Sequence, residues 1–323
     1  MLEYTKKNLY IIVTIFAIFF IGLFLGRYTK QSQVIKNRVL RESGYKYINP
    51  ILLCNTDNQQ SYNHDNELSG KLSNYVEKNK ENDISIYYLS LTNGYWASIN
   101  ENVSYSPASM LKVPTVVDAM KFSETHPEIL LKQLYYEGSV DYNKPEYFRS
   151  KESIQPGRYY TIKELFEYII RYSDNNALTL LLENINSRSL DEIYKDLNIT
   201  IPENNVDFMN TRTYSLFLRI LYNSTYLNRE DSEKILKIMT ESDFYSGLRK
   251  QIPKEIEIAS KFGEREIHDT SGNTLKKELH ECGIIYKKDD PYVLCVMTSG
   301  NNLNSLSTNI SDISKIVFNY VNN

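Results

Sequence analysis

The chain has 323 residues, of which 41% are hydrophobic, enough to bury a sizeable core in a domain of two packed lobes. Its formal net charge of −3 argues against nucleic acid as a partner, because a surface that tracks phosphates needs excess Lys and Arg. The 3 cysteines and 4 histidines lack the spacing of a disulfide framework or a zinc site, and no GxSxG, P-loop or GxGxxG motif occurs. We therefore expect no metal, nucleotide or haem cofactor.

The first predicted element is a transmembrane anchor at residues 9–26. Its apolar run, residues 9–25, would span about 25 Å as a helix, close to the thickness of a bilayer core. Because no small-residue cleavage site follows, we favour an uncleaved anchor over a removed signal peptide. Residues 1–8 would then be a cytoplasmic tail and residues 27–65 a polar stalk before a domain at 66–323.

The rest of the chain predicts an α+β fold. Helical or alternating patterns indicate, in chain order, a helix at 70–80, a hairpin at 84–91 and 95–99, a second hairpin at 279–286 and 291–298, and a helix at 305–321. Between the hairpins almost every segment has a helical pattern. We therefore predict an antiparallel sheet from both chain ends, flanked by helices, with an inserted all-helical lobe.

The second hairpin brings two cysteines near each other. If its turn has four residues, Cys282 and Cys295 lie opposite each other on the paired strands. A disulfide and two reduced core thiols both fit this pattern, because turn length alone does not fix the register.

Residues 106–114 contain a serine and a lysine at catalytic spacing. Ser106 suits a helix N-cap and Pro107 the first helical position, which places Ser109 in the first turn with a free N–H for an oxyanion. Lys112 would lie one turn further on the same face and could accept the Ser109 proton if its pKa were lowered. The competing interpretation is an ordinary helix start with a surface lysine.

A capping box at residues 161–164 opens a helix that ends in a polar turn. The turn contains Ser173 and Asn175, and we expect the next helix to begin at Ala177. The turn either caps that helix or places the Ser173 hydroxyl and the Asn175 amide in a cleft facing Ser109.

A third polar segment follows the apolar run 256–259, which is consistent with a strand. Lys261 would supply a fixed positive charge, and Gly263 would let a substrate approach the strand backbone. The Glu264 N–H would be the second donor to an oxyanion.

These segments resemble the S-x-x-K, S-D-N and K-T-G signature of class A β-lactamases and penicillin-binding proteins. They occur in the same order, and the resemblance covers residues 84–321. It implies that Ser109 attacks a lactam or peptide carbonyl, that Lys112 takes its proton, and that Ser173 passes a proton to the departing nitrogen.

The same resemblance implies three binding roles. Asn175 would bind the amide of the substrate side chain, and Lys261 would attract the substrate carboxylate. The N–H groups of Ser109 and Glu264 would hold the oxyanion.

The sequence departs from the family signature at two places. Phe262 replaces the Thr of K-T-G and offers no hydroxyl to the substrate carboxylate. Residues 187–209 contain Glu192 and Glu203 but not the E-x-x-x-N loop whose Glu activates the deacylating water in class A enzymes. Glu203 is the one candidate for that task, and the competing interpretation is a solvated loop carboxylate. Without a water-activating carboxylate, we expect slow deacylation.

The leading hypothesis is a class A β-lactamase-like serine hydrolase that acts on a β-lactam or related amide as a monomer. The alternatives are a D-Ala-D-Ala peptidase or transpeptidase acting on peptidoglycan stem peptides, and a non-catalytic wall-binding relic. All three place the domain outside the cytoplasmic membrane of a bacterium, held by the anchor.

The charges around the anchor conflict with this location. Basic residues are more numerous after the apolar run than before it, and the positive-inside rule alone would place the domain in the cytoplasm. Large domains translocate largely regardless of charge, so the predicted chemistry decides in favour of an extracytoplasmic domain.

Overall fold

The computed structural model describes Phe16, Phe20 and residues 40–53, 62–185, 190–201 and 206–322. The predicted tail and most of the predicted anchor and stalk lie outside these residues, as does Glu203. Within the described part of the chain, no helix is long and apolar enough to cross a bilayer.

A five-stranded antiparallel sheet forms the centre of the fold, with the strand order β4-β3-β9-β8-β7. Its strands are β3 (Asp83–Ser90), β4 (Trp96–Ile99), β7 (Ile258–His268), β8 (Thr274–Ile285) and β9 (Tyr292–Gly300). Two small two-stranded sheets join β1 (Leu40–Arg41) to β2 (Ile51–Leu53) and β5 (Gln133–Tyr136) to β6 (Arg158–Thr161). The two chain ends build the central sheet together, as predicted.

Helices cover both faces of this sheet. In the described chain they are α1 (Asn66–Lys78), α2 (Lys112–Ser123), α3 (Ile162–Arg171), α4 (Asn175–Asn184), α5 (Leu190–Asp196), α6 (Thr211–Tyr222), α7 (Arg229–Thr240) and α8 (Leu303–Val321). Short 3-10 segments lie at Ala108–Leu111 and Pro127–Leu131. The helices α2 to α7 form the predicted helical lobe.

The strand β9 shows why the sheet must be covered on both sides. Every residue of β9 is buried, and successive side chains of a strand point to opposite faces. One face packs with α1 and α8 through Tyr292, Leu294 and Val296. The other packs with the helical lobe through Val293, Cys295 and Met297. A continuous apolar strand is therefore stable only between two helical layers.

The structure corrects several predicted boundaries. Helix α1 begins at Asn66 rather than Gly70, because the Asp65 carboxylate caps it by accepting a hydrogen bond from the Leu68 N–H. The region between the hairpins is not entirely helical, since it contains the β5–β6 pair and the long strand β7. Strand β7 has polar and charged residues after its apolar start, which concealed its length.

Cys282 and Cys295 pair directly across β8 and β9 and are joined by a disulfide. The two residues are 13 positions apart, and both are completely buried. The predicted register is therefore correct, but the strands end at Ile285 and Tyr292, so six residues rather than four separate them. Of the two alternatives that the sequence left open, the structure has the disulfide.

Replacing both cysteines by alanine is expected to lower the free energy of unfolding by about 2–3 kcal/mol, since a cross-link of this loop length restricts the unfolded chain. Urea denaturation of the double variant and the wild type measures the difference. Thiol labelling of the denatured protein should find one reactive cysteine before reduction and all 3 after it. Three reactive thiols without reductant would contradict the disulfide.

Candidate active site

Ser109 lies in the 3-10 segment Ala108–Leu111, and helix α2 begins only at Lys112. Ser106 is therefore not the N-cap that the sequence predicted. Pro107 takes that position without a side-chain hydrogen bond, and Ala108 has a left-handed φ of 47°. The tighter turn leaves Ser109 at the junction of two helical segments, partly exposed to solvent.

Gly263 on β7 allows the strand to pack against this turn. A Cβ atom on Gly263 would lie 2.7 Å from the Pro107 carbonyl oxygen and 3.0 Å from the Met110 nitrogen. Any side chain at this position would push β7 away from Ser109. The glycine thus brings the strand that carries Lys261 and Glu264 close to the serine.

The Lys112 amine lies at the centre of the polar groups. Its side chain is 1% exposed, and its Nζ is 2.9 Å from Ser109 Oγ, 3.1 Å from Ser173 Oγ and 2.6 Å from Asn175 Oδ1. It also donates to the Ser173 carbonyl oxygen. Burial lowers the pKa of Lys112 to about 8, and Glu146 is the strongest of the carboxylates that oppose this effect. A substantial fraction of the amine is therefore neutral near physiological pH.

The turn between α3 and α4 holds Ser173 and Asn175 in place. Helix α4 begins at Asn175 rather than Ala177, because the buried Asp174 carboxylate caps it at the N–H groups of Asn176 and Ala177. Ser173 has a left-handed φ of 57°, a conformation that a non-glycine residue adopts only when its surroundings hold it there.

Asp174 also fastens this turn to the segment between β5 and β6. Its carboxylate accepts hydrogen bonds from Asn143 Nδ2 at 2.8 Å, Ser153 Oγ at 3.0 Å and the Ile154 N–H at 2.7 Å. The positions of Ser173 and Asn175 therefore depend on the conformation of residues 141–154.

Lys261 also contacts the Ser173 hydroxyl, to which Lys112 is bound. It is 1% exposed, and its Nζ donates to Ser173 Oγ at 2.8 Å and to the Phe262 carbonyl oxygen at 3.0 Å. Burial, and secondly the charge of Lys112, hold its pKa well below the usual range. Ser173 Oγ accepts from both amines, so its own proton can be donated to another group.

The ring of Phe262 lies against the Lys261 amine, with Nζ 4.5 Å from the ring centroid. It is 4% exposed and stacks on Phe244 with ring centroids 4.1 Å apart, and Phe148 meets it edge-on at 6.4 Å. Phe262 thus belongs to the core shared with α1 and α8. The departure from K-T-G replaces a hydroxyl by an aromatic ring that stabilises this core.

Replacing Phe262 by alanine is expected to lower the free energy of unfolding by about 3–5 kcal/mol, because the buried ring leaves a cavity. Phe122→Ala is a matched control. The Phe122 ring is 44% exposed, so its removal should lower the free energy of unfolding much less. Guanidinium denaturation measures both variants. Equal losses for the two variants would contradict the packing role of Phe262.

Two carboxylates near Ser109 were not predicted from the sequence. Glu146 accepts a hydrogen bond from Asn175 Nδ2 at 2.8 Å, and Glu264 accepts one from the Phe148 N–H at 2.9 Å. Burial raises the pKa of Glu264 to about 7 and is also the main cause that raises the pKa of Glu146. Glu146 lies in an irregular segment without motif or periodicity, and Glu264 was considered only for its N–H.

A cleft of about 390 Å³ opens above the serine. Its polar lining residues are Ser109, Glu146, Tyr147, Asn175, Glu264, Arg265, Glu266 and His268. Arg265 is ion-paired with Asp207 at 3.0 Å. Ser109, Asn175 and Glu264, all predicted from sequence, therefore border one cavity.

Glu192, one of the two glutamates in residues 187–209, does not line this cleft. Its charge acts on Asp118, whose pKa is raised to about 7 by burial first and Glu192 second. Asp118 lies further along α2, and Glu192 itself is exposed. Neither observation connects Glu192 with Ser109.

A family model described as the β-lactamase enzyme family matches residues 67–321. Among solved structures, TLA-3 extended-spectrum β-lactamase is 16% identical with a TM-score of 0.67, over 79% of this chain and 98% of that one. A class A β-lactamase from Mycobacterium abscessus is 18% identical with a TM-score of 0.66, over 79% and 100%.

A PBP-A variant, solved as an acyl-enzyme complex with penicillin G, has the same fold. It is 18% identical with a TM-score of 0.66, over 81% of this chain and 98% of that one. No curated protein matches the chain by sequence. At these identities the solved structures establish the fold, and the family match covers nearly the whole described domain. The chain is thus a member of the β-lactamase enzyme family.

Proposed function

We propose that this protein is a membrane-anchored, class A β-lactamase-like serine hydrolase that forms an acyl-enzyme at Ser109 and releases it slowly. The observation that carries the proposal is the hydrogen-bonded group of Ser109, Lys112, Ser173 and Lys261. It joins a partly exposed hydroxyl to a buried amine whose pKa is lowered to about 8.

Acylation would begin with transfer of the Ser109 proton to the neutral Lys112 amine, 2.9 Å away. Ser109 Oγ then attacks the amide or lactam carbonyl carbon. The N–H groups of Ser109 and Glu264 would stabilise the oxyanion. When the carbon–nitrogen bond breaks, Ser173 gives its proton to the departing nitrogen and recovers one from Lys112, which is 3.1 Å away.

Slow deacylation follows from the missing water-activating carboxylate. The family's E-x-x-x-N loop has no counterpart in residues 187–209, and the one described glutamate there acts on Asp118. Hydrolysis of an ester at Ser109 would then lack the general base that this loop supplies in the family, and a positioned base is worth about 10²–10⁴-fold in rate.

A D-Ala-D-Ala peptidase or transpeptidase is the second candidate function. It is favoured by the same missing carboxylate and by the fold shared with PBP-A, whose solved complex is an acyl-enzyme with penicillin G. Hydrolysis of a stem-peptide mimic without turnover of a chromogenic cephalosporin would select this candidate. Binding of muropeptide without any covalent adduct would instead indicate a non-catalytic relic.

The disulfide and the apolar amino-terminal run support an extracytoplasmic location. Disulfides persist in oxidising compartments and are rare in the cytoplasm. Cys282–Cys295 is such a bond, and residues 9–26 would hold the domain at the outer surface of the membrane. Protease added to intact cells should then degrade the domain, and protection until the membrane is broken would contradict this location.

Mass spectrometry of the full-length protein in detergent, after brief and long exposure to benzylpenicillin, tests the proposed function. We expect an adduct of intact penicillin mass on Ser109 after the brief exposure, and slow loss of that adduct after free drug is removed. An adduct that never disappears would favour the peptidase. No adduct at either time would contradict acyl transfer.

A further inference from the structure

The hydrogen bonds of Asn175 leave its amide with no donor for a substrate. A side-chain amide has two N–H hydrogens and one carbonyl oxygen. Asn175 Nδ2 donates to Glu146 Oε1 at 2.8 Å and to the Tyr142 carbonyl oxygen at 3.2 Å, and Oδ1 accepts from Lys112 at 2.6 Å. The resemblance assigns Asn175 to the amide of the substrate side chain, but both hydrogens of the Asn175 amide are already used inside the protein.

Other hydrogen bonds hold the Asn175 amide in this orientation. Its backbone N–H donates to Asn143 Oδ1 at 2.7 Å, and Asn143 is itself bound to the buried Asp174. Reversing the amide would place its NH₂ group against the Lys112 amine and its oxygen against the Glu146 carboxylate. Both contacts would then lose their hydrogen bond, so the observed orientation is strongly preferred.

Glu146 occupies a donor of the Asn175 amide that the resemblance assigns to the substrate. It lines the cleft with Ser109 and Asn175, and only its Oε1 has a hydrogen bond within the described part of the chain. The amines of Lys112 and Lys261 donate to Ser173, and Lys112 also to Ser109 and Asn175, rather than to this carboxylate. Oε2 of Glu146 is therefore an acceptor offered to whatever occupies the cleft.

The charges of Lys112 and Lys261 act on Glu146 from below the cleft, and the basic residues among the described cleft lining are Arg265 and His268, the latter 3.9 Å from Glu266. Glu264 and Glu266 border the cavity, and Arg265 is ion-paired with Asp207. A substrate carbonyl or carboxylate beside Glu146 would face an acceptor, whereas an N–H or ammonium group would gain a charge-assisted hydrogen bond.

We propose that the Glu146–Asn175 pair makes this part of the cleft a subsite for a hydrogen-bond donor, so that the protein prefers substrates whose acyl group carries an amine. The proposal rests on the proposed acyl transfer to Ser109, because the subsite is defined by its place beside that serine. It names the substrate class as amides or lactams with an ammonium group on the acyl side.

Three penicillins that differ at one position of the acyl side chain test this subsite. Ampicillin carries an ammonium group there, benzylpenicillin carries hydrogen, and carbenicillin carries a carboxylate. At neutral pH we expect ampicillin to acylate the full-length protein about tenfold faster than benzylpenicillin, the value of one charge-assisted hydrogen bond, with carbenicillin slowest. The order of these rates in the unaltered protein tests the inference without any substitution.

Glu146→Gln provides the second measurement. Glutamine can still accept from Asn175 but has no charge, so the ampicillin-to-benzylpenicillin ratio should fall towards one. Glu230→Gln is the matched control: it removes one charge from an exposed ion pair with Lys234, outside the cleft, and should leave the ratio unchanged.

The two proposals fail in different ways. Equal rates for the three penicillins, a fastest reaction with carbenicillin, or an equal fall of the ratio in both variants would overturn the donor subsite while acyl transfer stands. No adduct from any of the three would overturn the proposed function, and the subsite with it.

Discussion

Replacing Ser109 by alanine is expected to abolish covalent labelling by a fluorescent penicillin. Removal of a nucleophile from a catalytic group that acts as a unit costs on the order of 10⁶ in rate, which leaves no measurable adduct. Alanine removes only the hydroxyl that lies 2.9 Å from Lys112 Nζ, and the surrounding backbone is unaffected. Gel fluorescence and intact mass measure the labelling.

Ser106→Ala is the control for this experiment. Ser106 lies directly before Pro107, which is the N-cap of the 3-10 segment that contains Ser109. Ser106 therefore has no N-cap hydrogen bond to lose. We expect the Ser106 variant to label at the wild-type rate. If the Ser109 variant is still labelled by the penicillin, Ser109 is not the nucleophile. Loss of labelling in both variants would likewise contradict the assignment.

Replacing Lys112 by methionine is expected to slow acylation by about 10²–10⁴-fold, the usual contribution of a positioned base. Methionine fills most of the same buried volume but cannot accept the Ser109 proton. Lys121→Met is the matched control on the same helix, because that lysine is exposed and paired with Glu124 at 2.7 Å. Stopped-flow acylation rates measure both, and equal rates for the two variants would contradict the role of Lys112.

The wild-type acylation rate should also rise with pH. The folded-state pKa of Lys112 is lowered from 10.5 to about 8, so the neutral base becomes the main form as the pH passes about 8. The same shift links pH to stability: below pH 8 the folded protein holds a buried charge, and this cost disappears as the pH rises towards 10.5. Lys112→Met should remove the rise in rate, and its persistence in that variant would assign it to another group.

The three motifs were recognisable in the sequence because each is local. S-x-x-K places a serine and a lysine one helical turn apart whatever surrounds them, and the Ser173 turn follows a helix whose capping box is visible at Thr161. The two hairpins were predicted for the same reason, since alternation and turn residues act over short distances. The pairing of Cys282 with Cys295 was left open by the sequence, because turn length alone does not fix the register, and the structure decided it.

Features that depend on distant segments were not predictable. Glu146 reaches Asn175 from an irregular loop whose course is fixed by Asp174, and no spacing in the sequence connects these residues. Phe262 occupies a K-T-G position, but only its contact with Phe244 shows that its ring belongs to the core. The 3-10 turn at Ala108 likewise replaced the simple N-cap expected at Ser106.

The sequence by itself determined the order of the motifs, the use of both chain ends in one sheet, and the family to which the chain belongs. Only the tertiary structure decided the pKa values of the two lysines in those motifs. Lys112 and Lys261 have lowered pKa values because residues far apart in the chain exclude water from both amines. Desolvation is a property of the packed protein and not of any short segment, so a local pattern can name the base but cannot set its pKa.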